Sequence, residues 1–166
     1  LIDGNESARL NKELVREQRI ASSAGAGYDS TARGPGMFYL DGTPSEGKTV
    51  GDLETALRAE VEKLIREGVT EEELARVKAQ VVAGHVFQLD SMFYQAMQIG
   101  QLESIGMSHR DVDTMLKKLQ AVTAEQVREV AKKYLKDDSL TVAVLDPQPL
   151  EQQKVPFAAP PGGLRH

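Results

Sequence analysis

Three histidines are the only imidazoles in the chain, and a hydrolytic metal centre would have to start from them. His85 lies in Gly84-His85-Val86-Phe87-Gln88, inside a long apolar stripe, with neither an acid nor a second histidine one turn away. The helical zinc signatures, His-Glu-x-x-His and its inverse His-x-x-Glu-His, bring two imidazoles and a carboxylate to one helix face. Both are absent. His109 stands at a helix start and His166 closes the chain, so neither joins a ligand set. His85 reads as a packed or surface-reaching histidine. The sequence nominates no catalytic residue and no metal ligand, and it leaves substrate-binding residues unassigned.

Other chemistries lack their parts. Ser22, Ser23 and Ser91 have no identifiable base, which a nucleophilic hydroxyl needs. Gly25-x-Gly27 and Gly34-Pro35-Gly36 lack the strand–loop–helix context and the Lys-Ser/Thr ending of a phosphate loop. Glu71-Glu72-Glu73 suits a helix N-terminus through the macrodipole better than a cation site. Met92 and Met97, with Phe93 and Tyr94, have the pliability of a binding face; their helical spacing favours a core role.

The elements that must position these residues are legible from caps and periodicity. Val69-Thr70-x-x-Glu73-Leu74 pairs a Thr N-cap with Glu at N3 and brackets them with apolar residues. Met107-Ser108-x-x-Asp111-Val112 and Val122-Thr123-x-x-Gln126-Val127 repeat the arrangement, so three helices start there. Leu53, Leu57, Val61, Leu64 and Ile65 predict a helix over about 50–67, ended by Gly68. The stripe Leu74, Val77, Val81, His85, Leu89, Met92, Ala96, Ile99 predicts two helices, roughly 71–89 and 92–105, with Asp90-Ser91 recapping the second and Gly106 ending it. Val127, Val130, Ala131, Tyr134 and Leu135 make one face of a final helix.

Strands are fewer. The segment 20–28, a Gly/Pro loop and Met37-Phe38-Tyr39-Leu40 predict an antiparallel hairpin. Leu140-Thr141-Val142-Ala143-Val144-Leu145 predicts a last strand, stopped by Asp146-Pro147. The expected class is α+β, an antiparallel sheet with helices packed on one face. Three strands are few for so many helices, which suggests that the domain lacks its first strands. The expected division is a domain over 1–147, incomplete at its N-terminus, and a Pro/Gly-rich tail over 148–166, extended or disordered.

The chain has 166 residues, no cysteine and a formal net charge of −5. That fits one domain and excludes disulfides and thiolate metal sites. A net acidic chain whose basic pairs (Arg16/Arg19, Lys117/Lys118, Lys132/Lys133) alternate with acids does not read as a nucleic-acid binder. No apolar run reaches membrane-spanning length. The compartment stays open, periplasm and cytoplasm alike.

One ordered set of segments resembles a known family. The set comprises Gly4…Ser7-Ala8-Arg9-Leu10, Leu14-Val15-Arg16-Glu17…Ile20-Ala21, the hairpin ending in Gly42-Thr43, the helix from Leu53 to Ile65, Gly68-Val69-Thr70-Glu71-Glu72-Glu73-Leu74, and Val122-Thr123-Ala124-Glu125-Gln126-Val127 with Ala131-x-x-Tyr134-Leu135. It resembles the C-terminal domain of the insulinase/pitrilysin zinc metallopeptidases, nearest to the small bacterial, processing-peptidase-like branch. The resemblance implies two similar α+β domains closing like a clam around a peptide, with zinc held by an inverted motif in the first domain and no cofactor in this one. In the family pattern Leu-Arg-Glu…Leu-Ala-Tyr, the second domain supplies an Arg and a Tyr that hold substrate and steady the oxyanion. Aligning Leu14 and Ile20-Ala21 puts Val15 at the Arg position and Ser22 at the Tyr position. Arg16 is one residue off, a turn of about 100° on a helix. Neither role carries over.

The expected partners are the N-terminal zinc-bearing domain of the same parent, a second subunit supplying the Arg/Tyr pair, and a peptide substrate. The favoured expectation is the substrate-enclosing domain of a zinc metalloendopeptidase, not catalytic by itself. Two alternatives stand beside it: a non-enzymatic interaction or scaffold subunit of the same fold, and an unrelated helical adaptor.

Overall fold

The computed structural model describes residues 1–147, and the predicted tail 148–166 lies outside the described residues. Leu1 and Ile2 run beside the first helical turn, where their carbonyls accept from the N–H groups of Arg9 and Leu10. A π-helical segment follows, Asn11–Glu17, closed by a five-residue bond from the Gln18 N–H to the Glu13 carbonyl. Leu10 and Leu14 are the largest fully buried side chains of the described chain. Arg19 then turns the backbone at φ 53°, in the left-handed region, and the Ile20 N–H donates back to the Leu14 carbonyl at 2.9 Å.

Strands β1 (Ala21–Tyr28) and β2 (Phe38–Pro44) form the expected antiparallel hairpin. Register runs from Ala21↔Pro44 to Tyr28↔Phe38, with an irregularity between Ala21 and Ser23. An extra residue there breaks the two-residue alternation, so Ala21 is buried while Ser22 and Ser23 both face water. β1 is poor in strand formers, yet its small residues serve packing. Ala24 and Ala26, with Leu40 of β2, rest on a core of Leu10, Leu14, Ala21, Leu53 and Ala56. A Cβ at Gly42 would stand 3.1 Å from Leu53 Cδ2, so the helix carrying Leu53 lies tight on the sheet.

That helix is α1 (Val50–Glu67), opened by a complete capping box between Thr49 and Asp52. It is followed by α2 (Glu71–Gln88), α3 (Met92–Ser104), α4 (Val112–Ala121) and α5 (Ala124–Tyr134). Thr70, Ser91 and Thr123 each accept a first-turn N–H, and Thr123 completes its box with Gln126. Val69 and Leu74, the apolar pair around the Thr70 cap, are buried together with Leu64 and Ala131 in a second core cluster. Gly68 and Gly106 follow α1 and α3 at φ 74° and 84°, a backbone region that glycine enters without steric cost. Ser108 caps a 3-10 turn, His109–Asp111, that leads into α4.

The α+β class holds, with α1 packed on one face of an antiparallel hairpin, but three expectations need correction. Among the described residues the sheet has two strands, not three: the segment 140–145 is exposed and not paired with the sheet. β1 and β2 pair with each other, and at the outer edge of β1 the Ala26 N–H is already taken by the Asp3 carboxylate. Strand propensity expresses fit to a half-buried pleated surface, and no such surface meets this segment. Second, the Met92/Met97 cluster is not core: Met92 is 86% and Phe93 79% exposed. Third, α5 buries Val127, Ala131 and Leu135 but leaves Val130 and Tyr134 outside.

The core position of the π-helical segment is testable. Leu14→Ala should cost about 3 kcal/mol of stability in urea denaturation, whereas Phe93→Ala should change it by less than about 0.5 kcal/mol. Equal losses would contradict this placement of the core.

Candidate functional site

The densest polar constellation joins the N-terminal segment to the α1–α2 turn. Arg9 Nε and Nη2 donate to Glu73 Oε1 and Oε2 at 2.8 and 2.7 Å, and Nη2 also donates to the Gly68 carbonyl at 2.9 Å. Glu73 occupies the N3 position of α2, where its N–H donates to the Thr70 hydroxyl at 3.1 Å. Both of its carboxylate oxygens engage Arg9, and the Thr70 backbone adds a smaller stabilisation of the same carboxylate. The bidentate geometry raises the Arg9 guanidinium and holds the Glu73 carboxyl below the usual carboxylate range. Nearby on α1, Glu60 is buried, and burial pushes its carboxyl up. Its Oε2 and Arg9 Nη1 are the two buried side-chain polar atoms without a hydrogen bond among the described residues.

The positions aligned with an Arg/Tyr pair lie at the π-helix and at the start of β1. Val15 is half-buried and packs against the Leu10–Leu14 core. Ser22 is exposed, and its hydroxyl donates to the Thr43 carbonyl at 3.2 Å. Arg16, the neighbouring cation, is exposed and pairs with Glu6 at 2.6 Å. The structure thus brings none of these three side chains to a common point as an oxyanion clamp.

His85 lines a cleft of about 330 Å³ between α2, α3 and α4, beside Val81, Tyr94, Met97 and Met115. The cleft is bounded at one end by the hairpin loop: Gln101 Nε2 donates to Thr31 Oγ1 at 3.1 Å, and Arg33 donates to the Ser104 carbonyl. His109 contacts Glu103 at 2.8 Å, and that contact holds the Glu103 carboxyl below its ordinary value. From residue 79 to residue 102 the only formal charge is Asp90. Phe87, Met92 and Phe93 stand out from this stretch at 75%, 86% and 79% exposure. Sequence reasoning missed this surface because its apolar spacing is that of an ordinary buried helix face.

These donor sets do not suit a metal ion. Among the described residues, no three of His, Cys, Asp and Glu converge. His85 is surrounded by apolar and amide side chains, and His109 meets a single carboxylate. Among the described residues, no helix is long and apolar enough to cross a membrane.

Comparison with known proteins places this fold. Residues 1–81 match the family model described as Peptidase M16 inactive domain. An uncharacterized zinc protease of Streptomyces coelicolor is 30% identical over 136 residues, covering 81% of this chain and 29% of the relative. One from Bacillus subtilis is 24% identical over 147 residues, 89% of this chain and 35% of the relative. Among solved structures, a protease from Helicobacter pylori superposes with a TM-score of 0.71 at 21% identity, covering 80% of this chain and 32% of that one. A structure from Bordetella pertussis described as a candidate zinc protease gives 0.68 at 18% identity, covering 81% and 73%. Residues 1–81 thus carry the inactive, C-terminal type of M16 peptidase domain, and the relatives matched over most of the chain are named as zinc proteases. The chain spans about a third of the length of the curated relatives it matches.

The Arg9–Glu73 pair and Glu60 predict pH effects of opposite sign. Glu73, depressed in the fold, contributes stability that is present above its unfolded value of about 4.3 and lost as pH falls through its folded value. Glu60, raised in the fold, keeps a proton that the unfolded chain has released, so its contribution declines as pH rises from about 4.3 through its folded value. Glu73→Gln should therefore lower the urea midpoint at pH 7, and Glu60→Gln should raise it. Both differences should fade toward pH 3, and midpoints measured across pH 3–8 check this.

Proposed function

We propose that this chain is the substrate-enclosing C-terminal domain of a zinc metalloendopeptidase, not catalytic by itself. The domain extends over 1–147 and is followed by a tail over 148–166. The observation that carries this reading is the match of residues 1–81 to an inactive peptidase domain on a fold shared with solved proteases; among the described residues no metal-holding set converges. Hydrolysis in such a protein draws zinc and its bound water from the N-terminal domain of the parent, and this domain contributes surface to hold the peptide.

The oxyanion donors must also come from elsewhere. Val15 has no hydrogen-bond donor in its side chain, and Ser22 spends its hydroxyl on the Thr43 carbonyl. A second subunit bearing the Arg/Tyr pair supplies them in this reading. Loss of one oxyanion donor costs roughly 10²–10³ in turnover, so the parent alone should be almost silent. The exposed apolar surface around Phe87 and Phe93, with Asp90 its one formal charge, favours a second reading, a non-enzymatic interaction subunit of the same fold.

The test is to assay the full-length parent on a pool of unfolded peptides, first alone and then with a candidate subunit that carries the pair. Cleavage only in the mixture, abolished by a chelator, is the expected result. Robust zinc-dependent cleavage by the parent alone refutes the need for a partner, and silence in both moves the weight to the scaffold reading.

A further inference from the structure

The hairpin has two unlike faces. Ala24, Ala26, Leu40 and Gly42 turn toward α1 and the core. The other face carries Ser23, Gly25 and Gly27 on β1 opposite Thr43, Asp41 and Tyr39 on β2. A Cβ at Gly25 would stand 3.0 Å from Asp41 Oδ1, and a Cβ at Gly27 would overlap Tyr39 Cζ and Oη at the phenol end of the ring. Both side chains of β2 therefore lie down across β1, in room that any larger residue would fill. One side of the Tyr39 ring rests on Gly27, and the residue remains 51% exposed. The Asp41 residue is exposed, and its carboxylate makes no hydrogen bond or ion pair among the described residues.

Tyr39 and Asp41 are two residues apart on one strand, so they project to the same side about 7 Å from each other. An aromatic face attracts a cation within about 6 Å of its centroid, and a carboxylate accepts two parallel N–H bonds from a guanidinium. A planar guanidinium can stack on the ring and present its edge to the carboxylate at once, whereas an ammonium can satisfy only one of these geometries fully. The uncompensated negative charge disfavours phosphate-bearing ligands. We propose that Tyr39 and Asp41 form a subsite for an arginine side chain of an extended peptide lying on the open face of the hairpin. This rests on the reading of the chain as a peptide-enclosing domain and names a specificity determinant within it.

The test uses the 166-residue chain and fluorescein-labelled peptides, uncharged apart from a central Arg, Lys or citrulline and the label, titrated by fluorescence anisotropy in low salt. Citrulline keeps the shape of arginine without its charge. The expected order is Arg over Lys over citrulline, with Arg and citrulline separated roughly tenfold. Asp41→Asn should erase that separation while leaving citrulline affinity unchanged. Tyr39→Leu should weaken Arg more than Lys, and Gly27→Ala, which lifts the ring, should imitate it; circular dichroism checks that each variant folds.

Equal binding of Arg and citrulline, no peptide binding at all, or a preference that survives Asp41→Asn overturns the subsite. So does a chain whose open face is closed by self-association in sedimentation. Failure here is distinct from failure of the peptidase reading. If the assembled parent cleaves peptides and Asp41→Asn leaves its Arg preference intact, the subsite falls and the enclosing role stands. If the chain binds Arg peptides as expected but no assembly cleaves them, the subsite stands and the peptidase reading falls.

Discussion

The bidentate contact between Arg9 and Glu73 is the constraint on which the arrangement of this chain turns. It spans 64 positions of sequence and pins the N-terminal segment onto the α1–α2 turn. The core beneath the hairpin, built on Leu10 and Leu14, and the core at the far end of α1, built on Leu64 and Leu74, are otherwise separate clusters. Ile2 touches both, and Arg9 fixes the polar side of the same junction. A charge pair with side chains only 16–17% exposed is expensive to desolvate, and breaking one partner strands the other. That makes the contact a strong determinant of geometry whatever its net contribution to stability.

Around this junction the molecule divides by how completely it is covered. α1 has the hairpin on one side and α5 near its end, and it contributes more of the buried side chains than any other element. The α2–α4 region has a cleft, few buried side chains and large apolar groups in water. The hairpin loop spans the two regions through Thr31 and Arg33. A layered core with one face of its sheet left open is the form in which a domain can present backbone and side chains to an extended ligand while its helices support it from behind.

Much of this was legible in the sequence because the signals are local. Thr70 and Thr123 with their apolar brackets, and Gly68 and Gly106, marked helix ends through hydrogen-bond needs that the nearest residues meet. The hairpin was legible from its loop, even though Ala and Gly are poor strand formers. What could not be read depends on distant partners. The stretch Leu140–Leu145 has strand chemistry but no edge to join, and Met92 and Phe93 have core spacing but no opposing surface. Glu73 looked like half of a capping box, and nothing local announced that Arg9, far upstream, would engage both of its oxygens. The Tyr39–Asp41 pair left no motif, since its meaning depends on the two glycines across the strand.

Val15 illustrates how packing can fix a history. Its side chain is part of the apolar contact around Leu10 and Leu14. A guanidinium placed there would have to leave water or prise the segment outward, and an unpaired buried charge is among the costliest things a fold can hold. Substitution here is limited by packing before any chemistry is considered, since a side chain bearing donors would have to shift the Leu10–Leu14 segment. Groups arriving from outside the fold meet no such limit. Packing of this kind works as a ratchet: each neighbour that settles against Val15 narrows the set of residues the position can accept.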